Sequence, residues 1–112
     1  MSGQHKSTTH EERFVHIKDF MKAAAECKVN VSPFHPMYGR YRGATVFARK
    51  ESDGQWYATA ALCSEHDQFS RRTGRHVARR RFFAERIRRI RMGAEFRYVD
   101  ACAVVLMQAE LV

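Results

Sequence analysis

Residues 69–92 read FSRRTGRHVARRRFFAERIRRIRM, with ten arginines, one acid (Glu85), one histidine and no lysine. Any fold must bury the few apolar side chains of this run while keeping its guanidinium groups hydrated or paired with anions. An α-helix can do both. At 100° per residue, Phe69, Thr73, Val77, Phe83, Ala84, Ile87 and Ile90 fall within an arc of roughly 140°. The spacing predicts a helix over 69–92, about 36 Å long at 1.5 Å rise per residue, docked through that arc. Gly74 lies beside the arc, where a mid-helix glycine costs about 0.5–1 kcal/mol relative to alanine. Close packing of its backbone against a neighbouring element is the expected reason.

The arginines cover almost everything outside the stripe. Arg72, Arg79 and Arg86 make one i, i+7 row, Arg75 and Arg89 continue beside it, and Arg81 and Arg88 occupy the opposite flank. Arg80 and Arg91 fall inside the arc and must snorkel out or meet an acid such as Asp67 or Asp100. Phe82 does the reverse and stands among arginines, placed to meet a ligand or a partner chain.

The chain carries a net charge of +8. The run accounts for all of it: ten arginines against one glutamate give a local +9, leaving −1 for the remaining 88 residues. A merely solvated helix face mixes signs, because like charges at i, i+4 oppose helix formation by about 0.2–0.5 kcal/mol per pair. Arginine in place of lysine favours paired hydrogen bonds to phosphate and stacking on rings. The pattern points to an anionic partner, with Arg71, Arg72, Arg75, Arg79, Arg86 and Arg89 expected to contact phosphates and Arg81 and Arg88 as further candidates.

A chain of 112 residues with 45% hydrophobic content suits one folded domain. Residues 1–8 are polar and read as a flexible N-terminus, leaving 9–112 as a single α+β domain. Thr9-His10-Glu11-Glu12 reads as a capping box, and Phe14, Ile17, Phe20, Met21, Ala24 and Ala25 follow at helical spacing, which predicts a helix over 10–27. Residues 28–43 hold both prolines and two glycines and read as a long loop, with a short strand over 28–31 as an option. Two β-prone runs flank Asp53-Gly54, predicting a hairpin of 44–50 and 55–63. Trp56, Ala58, Ala60 and Leu62 share one face of its second strand, with Tyr57, Thr59, Ala61 and Cys63 on the other, so both faces are expected to be covered. Ser64 or Asp67 is the expected cap of the arginine helix. For the C-terminal segment, Val99, Val104 and Val105 favour a strand over 96–107, with a short buried helix as the alternative.

Within the loop, Tyr38 and Tyr41 alternate with Arg40 and Arg42. Such an arrangement can stack unpaired bases and hold phosphates, unless Phe34 and one tyrosine simply plug the core.

Other chemistry lacks its residues. Cys63-Ser-Glu-His66 has metal-like spacing without a second ligand pair. Glu65, His66 and Asp67 are adjacent and so diverge, whereas divalent-metal catalysis needs convergent carboxylates. There is no phosphate-binding glycine loop or nucleophile elbow. The expectation is a non-catalytic protein without metal or cofactor. Cys27, Cys63 and Cys102, odd in number and in apolar surroundings, read as buried free thiols of a reducing cytoplasm. With no membrane-length apolar run and no signal-peptide core, the reading is of a soluble cytoplasmic protein.

The segment Cys63-Ser-Glu-His-Asp67-Gln-Phe69-Ser-Arg71-Arg72-Thr-Gly74-Arg75 resembles a pattern, C-x3-D-x-F-x-basic-basic-x-G-R, of small phage and prophage proteins without an assigned activity. With the preceding hairpin it covers about thirty residues of the 112. The resemblance implies a strand-turn-helix unit in which Asp67 caps and Gly74 packs, and a location in the host cytoplasm. It also implies a choice of accessory roles. One is to bind DNA or RNA. The other is to inhibit a host defence complex, in the manner of an anti-CRISPR protein, by docking the same basic face on an acidic surface of a nucleic-acid-handling assembly.

Overall fold

Pairing of β-branched and aromatic runs, rather than the arginine segment, organises the molecule. The computed structural model describes residues 10–64 and 66–111. Its elements run β1 (Glu12–Ile17), α1 (Phe20–Glu26), β2 (Tyr41–Lys50), β3 (Trp56–Ser64), α2 (Arg71–Ala84), a 3-10 turn (Arg86–Arg88), β4 (Ile90–Gly93) and α3 (Tyr98–Leu111). The four strands form one antiparallel sheet in the order β1-β2-β3-β4, so the fold is α+β. Helix α2 lies over β2 and β3 on one face, and α1 and α3 cover the other. No helix among the described residues is long and apolar enough to cross a membrane.

The hairpin forms where expected, except that β2 starts at Tyr41, inside the expected loop, so Tyr41 and Arg42 lie on a strand. Gly54 takes a positive φ of 79° at its turn, and Asp53 Oδ1 accepts from Gln55 N at 2.9 Å. Both faces of β3 are covered as expected. Trp56, Ala58 and Ala60 enter the main core with Ile17, Phe20, Val46, Phe96, Val104 and Val105. Ala61 enters a smaller cluster with Phe47, Ala78 and Phe82 under α2.

Three expectations are corrected. Residues 10–27 form a strand and then a short helix. Val15 and Ile17 are β-branched, and pairing of Phe14 with Phe47 and of Ile17 with Ala44 buries both sides of the segment, so the tertiary ladder overrides local helical spacing. Asp19 then caps α1 by accepting from Lys22 N at 3.3 Å. The expected capping residue Thr9 and the expected flexible residues 1–8 lie outside the described residues.

The arginine helix stops at Ala84. Glu85 leaves helical geometry at φ −122°, ψ 71°, and Ile90 and Met92, alternating, pack on the main core from β4. The C-terminal segment is the helix α3 and not a strand. Ala101, Val104, Val105 and Gln108 are buried at a spacing of three and four, and a 3.6-residue period is the only one that turns all of them inward.

The loop of residues 28–40 contains no strand at 28–31. Its plug is Met37, fully buried, whereas Phe34 is 94% exposed. The three cysteines are free, with only Cys102 buried; burial is the main cause that pushes its thiol up to about 11.

Candidate functional site

Helix α2 begins at Ser70, whose Oγ accepts from Thr73 N at 3.3 Å. Ser70 is therefore the cap in place of Ser64 or Asp67. The helix meets the sheet along Gly74, Ala78 and Phe82, an i, i+4, i+8 row. A Cβ at Gly74 would collide with Thr45 Oγ1, and Thr59 Oγ1 donates to Ala78 O at 2.8 Å. Small residues thus let the helix backbone approach Thr45 and Thr59 of the hairpin, as expected for Gly74. The stripe itself is rotated from the one expected: Val77 and Phe83 are 37% and 39% exposed and Ile87 is 95% exposed, while Phe82 is fully buried. Phe82 is no surface candidate. Its ring sits edge-on to Phe47 at 5.0 Å, because the row is defined by the close approach at Gly74 and not by the largest side chains.

Eight of the ten arginines of this run fall into two groups. Arg81 Nη1 donates to Ala60 O. Strand β4 pairs with β3 only from Trp56 to Ala58, so Ala60, paired with Val46 of β2 on its other side, has no strand beside it on the β4 side. There Arg81 takes the carbonyl and Gln108 Oε1 accepts from Ala60 N at 3.0 Å. Arg88 bridges Glu85 at 3.0 Å. Arg89 Nε donates to Phe82 O at 2.6 Å and covers the Phe82 ring at 4.0 Å, with burial drawing its guanidinium below the usual value. These three side chains are occupied by the fold itself. Arg81→Ala is expected to lower unfolding free energy by about 1.5–3 kcal/mol, the range for a hydrogen bond from a charged group, without weakening anion binding. Arg72→Ala should do the opposite, and urea denaturation beside a binding titration reads both.

The second group forms two rows on the exposed side of α2. Arg71, Arg75, Arg79 and Phe83 follow one another at i+4 on the flank toward β1, and Arg72, His76 and Arg80 run beside them. All seven are exposed. Among the described residues no carboxylate lies within ion-pairing distance of these five arginines. Arg80, expected inside the stripe, belongs to this surface, and Arg91 is exposed on β4.

The other candidates are dispersed. Arg86 lies near Glu51 and Asp53 at the far end. Arg42 shares a small cleft with Lys18, Asp67 and Phe69 near the start of α2. Arg40 and Tyr38 are exposed on the loop, while Tyr41 packs half-buried on the main core, on the sheet face opposite α2.

Side chains outside the arginine pattern complete the surface. Strand β1 is the edge of the sheet, and α2 sits over its neighbours, so Phe14 and His16 stand half-buried beside the arginine row. Their rings are parallel within 4°, with centroids 6.5 Å apart. Beyond them Phe83 has the Arg79 guanidinium over its ring at 4.9 Å and that of Arg49 at 5.2 Å. Arg49, Arg79 and Phe83 line an open cleft of about 710 Å³ with His76, Arg80 and Ala84. The signal for Phe14 and His16 was an alternation of period two, hidden once the segment was read as a helix.

His16 Nδ1 is 3.0 Å from Thr45 Oγ1. Its pKa is lowered from 6.5 by burial first and by Arg71 and Arg75 next. As pH falls below 6.5 the unfolded chain therefore takes up this proton before the folded one does. The contribution of neutral His16 to stability is full above that value and is lost as pH falls through the lower folded pKa. Between pH 7.5 and 5.5 the protein should lose more stability than a His16→Gln variant, measured by urea unfolding at each pH.

Among the described residues no three His, Cys, Asp or Glu side chains gather as a metal site requires; Glu65 of the Cys63–Asp67 segment lies outside them. The chain matches no protein-family model, no curated protein and no solved structure.

Proposed function

We propose that this protein binds the phosphate backbone of nucleic acid, without catalysis, through the exposed rows of α2. The observation that carries the reading is the division of the arginines. Arg81, Arg88 and Arg89 are held by carbonyls, Glu85 and a ring, whereas Arg71, Arg72, Arg75, Arg79 and Arg80 crowd one surface with no acid in ion-pairing reach among the described residues. The i, i+4 repulsion within Arg71-Arg75-Arg79 opposes the helix. A polyanion removes that repulsion and gains counterion release. An accessory role of the phage type is compatible with this chemistry.

The test is a salt-titrated binding assay on labelled oligonucleotides. If about five phosphates are neutralised, log K falls against log salt with a slope near −4.5 on duplex DNA and near −3.5 on a single strand. Gln at Arg72, Arg75 and Arg79 together should weaken binding evenly across sequences. No binding at about 50 mM salt, or binding indifferent to salt, overturns the reading. Tight capture by an acidic protein with feeble binding to free nucleic acid overturns it in favour of docking on such a surface.

A further inference from the structure

Resting on that reading, we infer that the ligand is single-stranded, with its backbone on the row Arg71, Arg75 and Arg79 and its unpaired bases stacked on Phe14, His16 and Phe83. A duplex turns phosphates outward and keeps its base planes covered, so it would use the arginine row and leave rings beside that row unmatched. A single strand offers both surfaces at once, and ring stacking tolerates any base.

Three observations bring these demands together. The arginine row rises about 6 Å per step, four residues at 1.5 Å each, comparable with the phosphate step of an extended strand. Parallel rings of Phe14 and His16 stand half-buried along it, on the part of the sheet that α2 leaves uncovered. Phe83, 39% exposed, continues the row itself, and a base stacking on it takes the place of the Arg79 guanidinium, 4.9 Å from its ring, as that arginine turns to phosphate.

The charge of the groove is one-sided. Arg49 on its floor is already bridged to Glu51 at 3.1 Å and to Glu12 at 3.8 Å, so it is held as a partner for the Phe83 ring at 5.2 Å and is not available to phosphate. His16 is kept toward its neutral form by burial and by Arg71 and Arg75. The α2 wall therefore suits phosphates and the β1 and β2 floor suits base planes.

The experiment compares fluorescence anisotropy of a labelled oligothymidine, a hairpin duplex of equal phosphate count and inorganic polyphosphate at one salt concentration. Oligothymidine should bind most tightly. Phe83→Leu should weaken oligothymidine roughly tenfold with an unchanged salt slope and unchanged duplex affinity. Phe14 contributes to packing, so it is examined in the intact protein by photocrosslinking to iodouracil-containing strands, with crosslinks expected at Phe14, His16 or Phe83. Equal affinity for strand and duplex with no effect of Phe83→Leu overturns this inference and leaves backbone binding standing. So do crosslinks confined to Tyr38 and Tyr41. Binding to no nucleic acid overturns both.

Discussion

Phe82→Ala is expected to lower the free energy of unfolding by about 3–5 kcal/mol, the usual cost of truncating a buried phenylalanine. The cluster beneath α2 consists of Phe47, Ala61, Ala78 and Phe82, with Phe14 and Tyr57 at its margin. Two of its four buried members are alanines, so the two phenylalanine rings supply most of its volume. Removing one leaves a cavity that Phe83, 5.1 Å away, cannot close without leaving the outer face. Arg89 would also lose the ring it covers at 4.0 Å. Urea unfolding monitored by circular dichroism measures the change, and the melting temperature should drop by roughly ten degrees or more. A loss under about 1 kcal/mol is what a surface phenylalanine would give, and it would restore the orientation first read from the helical wheel.

Gly74→Val is expected to cost about 1–3 kcal/mol or more through overpacking. A side chain at Gly74 meets Thr45, whose Cβ lies 2.7 Å from the new atom. Thr45 is itself 1% exposed in β2, and a buried strand between two paired neighbours has little room to yield. Helix α2 must lift instead. Gly74→Ala gives the sharper comparison, because alanine in a helix interior ordinarily gains about 0.5–1 kcal/mol over glycine. Here the sign should reverse. Lifting the helix also shifts Arg71 and Arg75 relative to His16, so single-strand affinity should fall with stability in both variants. Thermal unfolding and anisotropy on the same samples check this, and a stabilised Gly74→Ala would show that the helix does not rest on Thr45.

What could be read from the chain follows the range of the interactions involved. The hairpin was legible because Asp53-Gly54 is a local turn signal flanked by β-prone runs, and Gly74 because an unexplained glycine in a helix implies a close neighbour. Residues 10–27 misled because Phe14, Ile17, Phe20 and Met21 satisfy a helical wheel and also satisfy a strand followed by a helix. The deciding element was Asp19, a cap in the middle of the run, together with pairing to β2, thirty residues away in sequence. In the C-terminal segment the valines suggested a strand, although Ala101, Val104, Val105 and Gln108 already carried the helical period.

The division of the arginines was beyond local reading. Arg81 is inward because β4 is short and leaves Ala60 without a partner on that side, and Arg89 because the helix ends at Ala84; both depend on tertiary structure. The same holds for Phe14 and His16, whose place beside α2 exists only after the sheet has formed.

Beyond Ala58, strand β3 runs on without a β4 partner. An uncovered strand edge is a template on which another polypeptide can extend a sheet and start aggregation. At Ala60 the two backbone groups that such an intruder would need are already engaged, by a side chain from a helix on each face. The guanidinium of Arg81 adds a charge to that border. A protein with so short a fourth strand thereby closes the first open position of that border without spending more chain on it.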